Sequence, residues 1–221
     1  MTLARRRLVL LATSAAAFIA ALDNTVVAVA LRNMQSDLGV GVSGLQGIVT
    51  AYTVALAALL LTGGALCDVV GARRILLAGL AVFGVASAGC ALSSSTPALI
   101  SARGVQGVGA ALLLPASLAV LAQAYPDVAE RARAVGVWAA TGALALVAGP
   151  VVGGLLVQLS GWQLVFWANV PLCAIVAAVV LAIPAGTRDP SRRLDLVGQA
   201  LAAGGIAAGT YAVVQIGRAH V

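Results

Sequence analysis

Seven stretches of about 20 apolar residues, each bounded by charges or loop formers, constrain this chain more than any motif in it. They lie near 8–31, 45–67, 75–93, 98–124, 134–158, 162–184 and 196–216. A helix of that length crosses the hydrocarbon core of a bilayer, roughly 30 Å thick. Helices are required because lipid offers no water to the open edge of a sheet, and a closed barrel would need alternating segments of about ten residues, which are absent. The balance of 62% hydrophobic to 9% charged residues lies outside the range of water-soluble domains. The expectation is an all-α membrane protein.

The net charge of +6 raises the question of nucleic acid, and its distribution answers it. Arg5, Arg6 and Arg7 precede the first span, Arg73 and Arg74 join spans two and three, and Arg131 and Arg133 join four and five. Arg188, Arg192 and Arg193 join six and seven, while the intervening loops hold only Arg32 and, after span seven, Arg218. Positive charge sorted into alternate loops sets orientation, so the N-terminus is expected in the cytoplasm and nucleic acid is excluded as a partner. Ala28-Val29-Ala30 resembles a signal-peptide cleavage site, but the preceding apolar stretch is long, carries Asp23 and is followed by six more spans. No metal site is expected, because Cys67, Cys90 and Cys173 share no ligand spacing and His220 is the lone histidine. Nor is a cofactor: Gly104-Val105-Gln106-Gly107-Val108-Gly109 is embedded in an apolar span with no preceding strand, so it reads as a packing face rather than a phosphate loop. Glycines within spans read instead as places where helix backbones approach.

Six segments carry a family resemblance. Gly64-Ala65-Leu66-Cys67-Asp68-Val69-Val70-Gly71-Ala72-Arg73-Arg74 resembles the signature loop between spans two and three of the major facilitator superfamily. Asp68 would end a helix, Gly71 permit the tight turn, and Arg73 and Arg74 pair with the carboxylate or face anionic headgroups. Val69 and Ala72 stand where the family has basic residues, which thins that network. Leu99 to Ala111, with Arg103 and Gln106, resembles the span-four motif. Gly149-Pro150-Val151-Val152-Gly153-Gly154 resembles the span-five motif of antiporters, where proline removes one helix hydrogen bond and the glycines admit a bend and a close neighbour. Leu22 to Val27, Gly161 to Pro171 and the short charged link before Asp195-Leu196-Val197-Gly198 are similar to the fourteen-span drug:proton branch.

The resemblance implies a six-span lobe over 1–184, a cytoplasmic loop over 185–195 and a seventh span over 196–221, with spans one to three and four to six as an inverted pair. It implies proton-coupled export of drugs or other small amphipathic molecules across a bacterial inner membrane, without enzymatic chemistry. A second lobe is expected to complete the cavity, and the sequence is read as stopping short of it. A nutrient facilitator or symporter and a non-transporting sensor or scaffold are the alternative classes.

Asp23 is the one carboxylate deep in a span, and insertion scales charge about 2.5–3.5 kcal/mol for such a group at mid-membrane. Arg103 is the one arginine at comparable depth. Measured from the outer span ends at 1.5 Å per residue, the two depths agree to roughly 5 Å, so an ion pair is geometrically open to them. Asp23 is thus expected to alternate among a proton, Arg103 and a cationic substrate. Asn24, Thr25, Tyr52 and Gln106 are the cavity-lining candidates, Gln106 because it shares a helix face with Arg103. Ser117 and Thr141 are expected to bond back to their own helices, and Trp138 to anchor at an interface.

Overall fold

The computed structural model describes residues 2–183 and 196–219. They form α1 (Leu3–Leu38), α2 (Val42–Leu66), α3 (Ala72–Ala91), α4 (Thr96–Ala124), α5 (Val128–Ser160), α6 (Gln163–Trp167), α7 (Asn169–Leu181) and α8 (Leu196–Ala219), with no strand among the described residues. The loop expected over 185–195 lies outside them, apart from its neighbours.

Among the described residues, five helical stretches are long and apolar enough to cross a membrane, against seven expected spans. The difference is local. One of the five, Val42–Ala91, is 50 residues long and holds both the second and third expected spans. Run straight it would measure about 75 Å, over twice the hydrocarbon core. It reverses instead, through a wider π-type turn at Cys67–Gly71 that ends on Gly71 with φ 104° and ψ 129°. No Cβ would clash at Gly71, so glycine is required there by the backbone angle alone. The seventh expected span is α8, which packs along α2.

The sixth span is broken into α6 and α7. Pro171, the third residue of α7, lacks the N–H that would bond the carbonyl of Trp167, and Trp167 is where α6 ends. Helices also run past the apolar stretches: α1 has 36 residues, and Gly39 in the left-handed region closes it with its N–H on the Gln35 carbonyl. At the start of α5, Asp127 accepts from the Glu130 N–H, a side-chain cap.

Small residues set how these helices meet. α4 lies against α2, α3 and α1, while α1 lies against α5. A Cβ on Gly107 would sit 2.5 Å from the Tyr52 carbonyl oxygen, and one on Gly109 2.7 Å from the Phe83 nitrogen. Gly63 meets Ala111 and Gly107 meets Tyr52, so α2 runs parallel to α4; Gly79 meets Leu113 and Gly89 meets Ala102, so α3 runs antiparallel to it. Exchanging α1 with α4 and α2 with α5 maps the α1–α5 contact onto the α4–α2 contact, the relation of an inverted pair. The buried apolar side chains form two clusters. One holds Val9, Ala12, Leu76, Leu80, Leu113 and Val120, and the other Val27, Met34, Ile48, Leu99 and Trp162.

At the Arg73 end of α3 the guanidinium closes α7. Arg73 Nε donates to the Val180 carbonyl at 3.0 Å and Nη2 to the Leu181 carbonyl at 2.6 Å. A cation on the last carbonyls of a helix meets both the orphan acceptors and the negative end of the dipole. Arg73→Ala is therefore expected to lower stability by about 1–2 kcal/mol, seen as an earlier thermal unfolding midpoint in detergent. An unchanged midpoint would show that water serves those carbonyls equally well. Arg74 and Asp68 are exposed, and Arg6 Nη1 meets Glu130 Oε2 at 2.6 Å.

Candidate functional site

Between the two apolar clusters lies a polar one built from most of the bundle. Asp23 comes from the middle of α1, Arg103 and Gln106 from one face of α4, Ser87 from α3, Tyr52 from α2 and Asn169 from the first position of α7. All six are buried, and the Asp23 and Arg103 side chains have no exposed surface.

Arg103 Nη1 donates to Asp23 Oδ2 at 2.5 Å and to Gln106 Oε1 at 2.6 Å, while Nε reaches the Ile48 carbonyl at 3.4 Å. The guanidinium carbon stands 4.3 Å from the Tyr52 ring centroid and 5.8 Å from that of Phe166. Asp23 Oδ1 accepts from Gln106 Nε2 at 2.9 Å and from Asn169 Nδ2 at 2.8 Å. Both amides also approach Ser87 Oγ, at 2.7 and 3.4 Å. Tyr52 is fixed by its hydroxyl, which donates to the Ala20 carbonyl at 3.2 Å. Arg103 Nη2 is buried and has no hydrogen-bond partner.

This arrangement has two consequences. Every bond that Asp23 receives comes from an N–H, a set that suits a carboxylate and would have to rearrange around a protonated acid. Arg103, by contrast, has standing alternatives to the carboxylate in the Gln106 oxygen, the Ile48 carbonyl and the Tyr52 ring face. The arginine would therefore not be left wholly unpartnered if the carboxylate turned away from it. Stability alone does not explain such a pair, since apolar side chains of similar volume are often as good or better in its place.

The other residues singled out from sequence fall elsewhere. Asn24 is exposed on α1, and Thr25 is half-buried against α5, its hydroxyl on the Leu22 carbonyl at 2.9 Å and near that of Ala145 at 3.4 Å. Gly149 and Gly153 press on α1: a Cβ on Gly149 would collide with Thr25, and one on Gly153 would lie 3.1 Å from Val26. Pro150 is exposed, and a Cβ on Gly154 would meet nothing within 4 Å. Gly64 is half-buried beside Pro115. Ser117 and Thr141 do bond back, to the Leu114 and Val137 carbonyls, and Trp138 Nε1 donates to Ser117 Oγ at 3.1 Å. Ser87 went unremarked in the sequence because a lone hydroxyl in an apolar helix carries no periodic signal. Asn169 is legible in the sequence as a polar group at membrane depth two positions before Pro171, but nothing there places it against Asp23.

A multi-pass helical bundle with an intramembrane ion pair defines a class of membrane protein, and comparison with known proteins gives the family. Residues 13–215 match the model of the Major Facilitator Superfamily. The methylenomycin A resistance protein of Bacillus subtilis is 44% identical over 198 residues, covering 89% of this chain and 42% of that protein. The multidrug resistance protein Stp of Mycobacterium tuberculosis is 38% identical over 209 residues, covering 94% and 39%. A mutant of the peptide transporter POT, solved with sulfate, superposes with a TM-score of 0.73 at 20% identity, over 94% of this chain and 45% of that one, and shares the fold. The chain belongs to the Major Facilitator Superfamily, and it spans about two-fifths of the length of the curated relatives it matches.

Proposed function

We propose that this chain supplies the N-terminal lobe, over 1–184, of a proton-coupled antiporter that exports drugs or other small amphipathic molecules by alternating access. The observation that carries the reading is the buried Asp23–Arg103 pair at the depth where a transport site must sit. The resistance relatives and the antiporter-like glycines at Gly149, Gly153 and Gly154 support its direction. The alternate-loop arginines support an inner-membrane orientation with the N-terminus in the cytoplasm.

In this mechanism Asp23 is the proton carrier, and Arg103 competes with proton and substrate for it. Gln106, Asn169 and Ser87 orient the carboxylate, and Tyr52 holds the guanidinium when the carboxylate is neutral. Asn24 lies on an exposed stretch of α1 that would face the substrate, whereas Thr25 packs against α5. One carboxylate cannot serve two cations, so proton entry would expel a bound cation, with the membrane potential adding about 2.3 kcal/mol per charge at 100 mV. A second lobe, reached through the loop over 185–195 and the seventh span over 196–221, would close the cavity.

The test is dye efflux from a drug-sensitive bacterium expressing the full reading frame, with and without a proton uncoupler. Efflux that collapses with the uncoupler is the expected result. Efflux indifferent to it, together with substrate counterflow, would replace the reading with a facilitator.

A further inference from the structure

On the outer side of α3 and α7, away from the polar cluster, runs an apolar groove of about 320 Å³. Its floor is made by small residues: Gly84 and Cys173 approach so closely that a Cβ on Gly84 would stand 3.3 Å from that of Cys173. Its walls are longer side chains, Leu77, Leu80 and Val85 from α3 and Val170 from α7. Arg74, Leu77, Ala81, Val85 and Ala88 follow one another at spacings of three and four and so share one helix face. Arg74 and Ala81 are exposed on it, and Val85 is 75% exposed. From Leu77 to Ala88 the groove spans about 16 Å of helix, roughly half of a 30 Å hydrocarbon core. The groove straddles the middle of α3, and its Leu77 end lies one helical turn from an exposed arginine, Arg74.

We infer that this groove is a binding site for one anionic phospholipid, its acyl chain lying between α3 and α7 and its headgroup phosphate on Arg74. The lining is apolar throughout, with small residues on its floor, a surface that suits a hydrocarbon chain. The charge favours an anionic head. Among the described residues, Arg73 is occupied by the Val180 and Leu181 carbonyls, whereas Arg74 is exposed one helical turn beyond Leu77. Basic side chains at the end of a furrow between membrane helices are the arrangement that selects anionic headgroups.

Native mass spectrometry of the purified, delipidated protein, titrated with phosphatidylglycerol or phosphatidylcholine of equal chain length, tests this. One phosphatidylglycerol should be retained about fivefold more tightly than phosphatidylcholine, the equivalent of about 1 kcal/mol for one arginine near an anionic surface. Arg74→Gln should erase that preference while keeping a lipid bound. Ala81→Phe and Ala174→Phe, which fill the groove from exposed positions, should remove the bound lipid of either kind. These variants leave the buried core untouched, so unchanged thermal unfolding serves as the folding control. A preference that survives Arg74→Gln, or a lipid count that survives both phenylalanines, overturns the site. So does a wild-type protein that retains no lipid, which would mean that another part of the protein covers the groove.

Discussion

Asp23→Asn is expected to end uncoupler-sensitive efflux and to be the more destabilising half of the buried pair. The substitution keeps the side chain's shape and removes its charge, leaving Arg103 buried with nothing to neutralise it. Arginine does not give up its proton in a protein, so the charge stays. Breaking a buried pair from one side costs about 3–5 kcal/mol. The low end applies here, because Arg103 retains the Gln106 oxygen, the Ile48 carbonyl and the Tyr52 ring. Arg103→Gln is expected to cost less, since the Asp23 that remains can neutralise itself by binding a proton and keeps two amide donors. The double variant, Asp23→Asn with Arg103→Gln, should recover most of the stability of the intact pair and none of the coupled efflux. Thermal unfolding in detergent and dye efflux with uncoupler, measured on all four proteins, separate the two roles. Coupled export by the double variant would reduce the pair to a structural bridge between α1 and α4.

How far the sequence reached toward this site depends on what a single chain can record. Depth is recorded. Asp23 and Arg103 were matched to roughly 5 Å by counting residues from the span ends, and they meet at 2.5 Å. Azimuth is recorded only within one helix, which is why Gln106 could be placed beside Arg103 but Ser87 could not be placed beside Gln106. That contact depends on which face of α3 turns toward α4, and the turn is set by Gly79 and Gly109, whose missing side chains let the backbones close. The spans were legible because hydropathy marks them, whereas the break between α6 and α7 was not, because Pro171 acts on a carbonyl one turn earlier inside an apolar run. The use of Arg73 was hidden for a further reason. Its partners are main-chain carbonyls of α7, more than a hundred positions away, and no side chain there marks them.

Gly149→Val and Gly154→Val, five positions apart in one motif, are expected to fail in different ways. Gly149 sits where α5 crosses Thr25 of α1, and even the first carbon of a side chain would overlap both the Thr25 hydroxyl and its Cβ. The hydroxyl could rotate, but a Cβ is fixed to the backbone, so the helices would have to separate. Overpacking of this kind costs about 1–3 kcal/mol and occasionally more. Separation would also pull Val26 away from Gly153 one turn on, and α1 carries Asp23 on the adjoining turn. The expected result is little folded protein in the membrane, and partial recovery when Thr25→Gly is added to Gly149→Ala. Gly154 points into open space, so its valine should leave the thermal midpoint within about 0.5 kcal/mol of the parent, as surface changes do. Under the antiporter reading the same valine should still impair efflux, because that open face is then the one that meets the second lobe. Equal loss of folded protein in both variants would mean that the motif acts through helix bending alone, and unimpaired efflux with Gly154→Val would remove that face from the transport cycle.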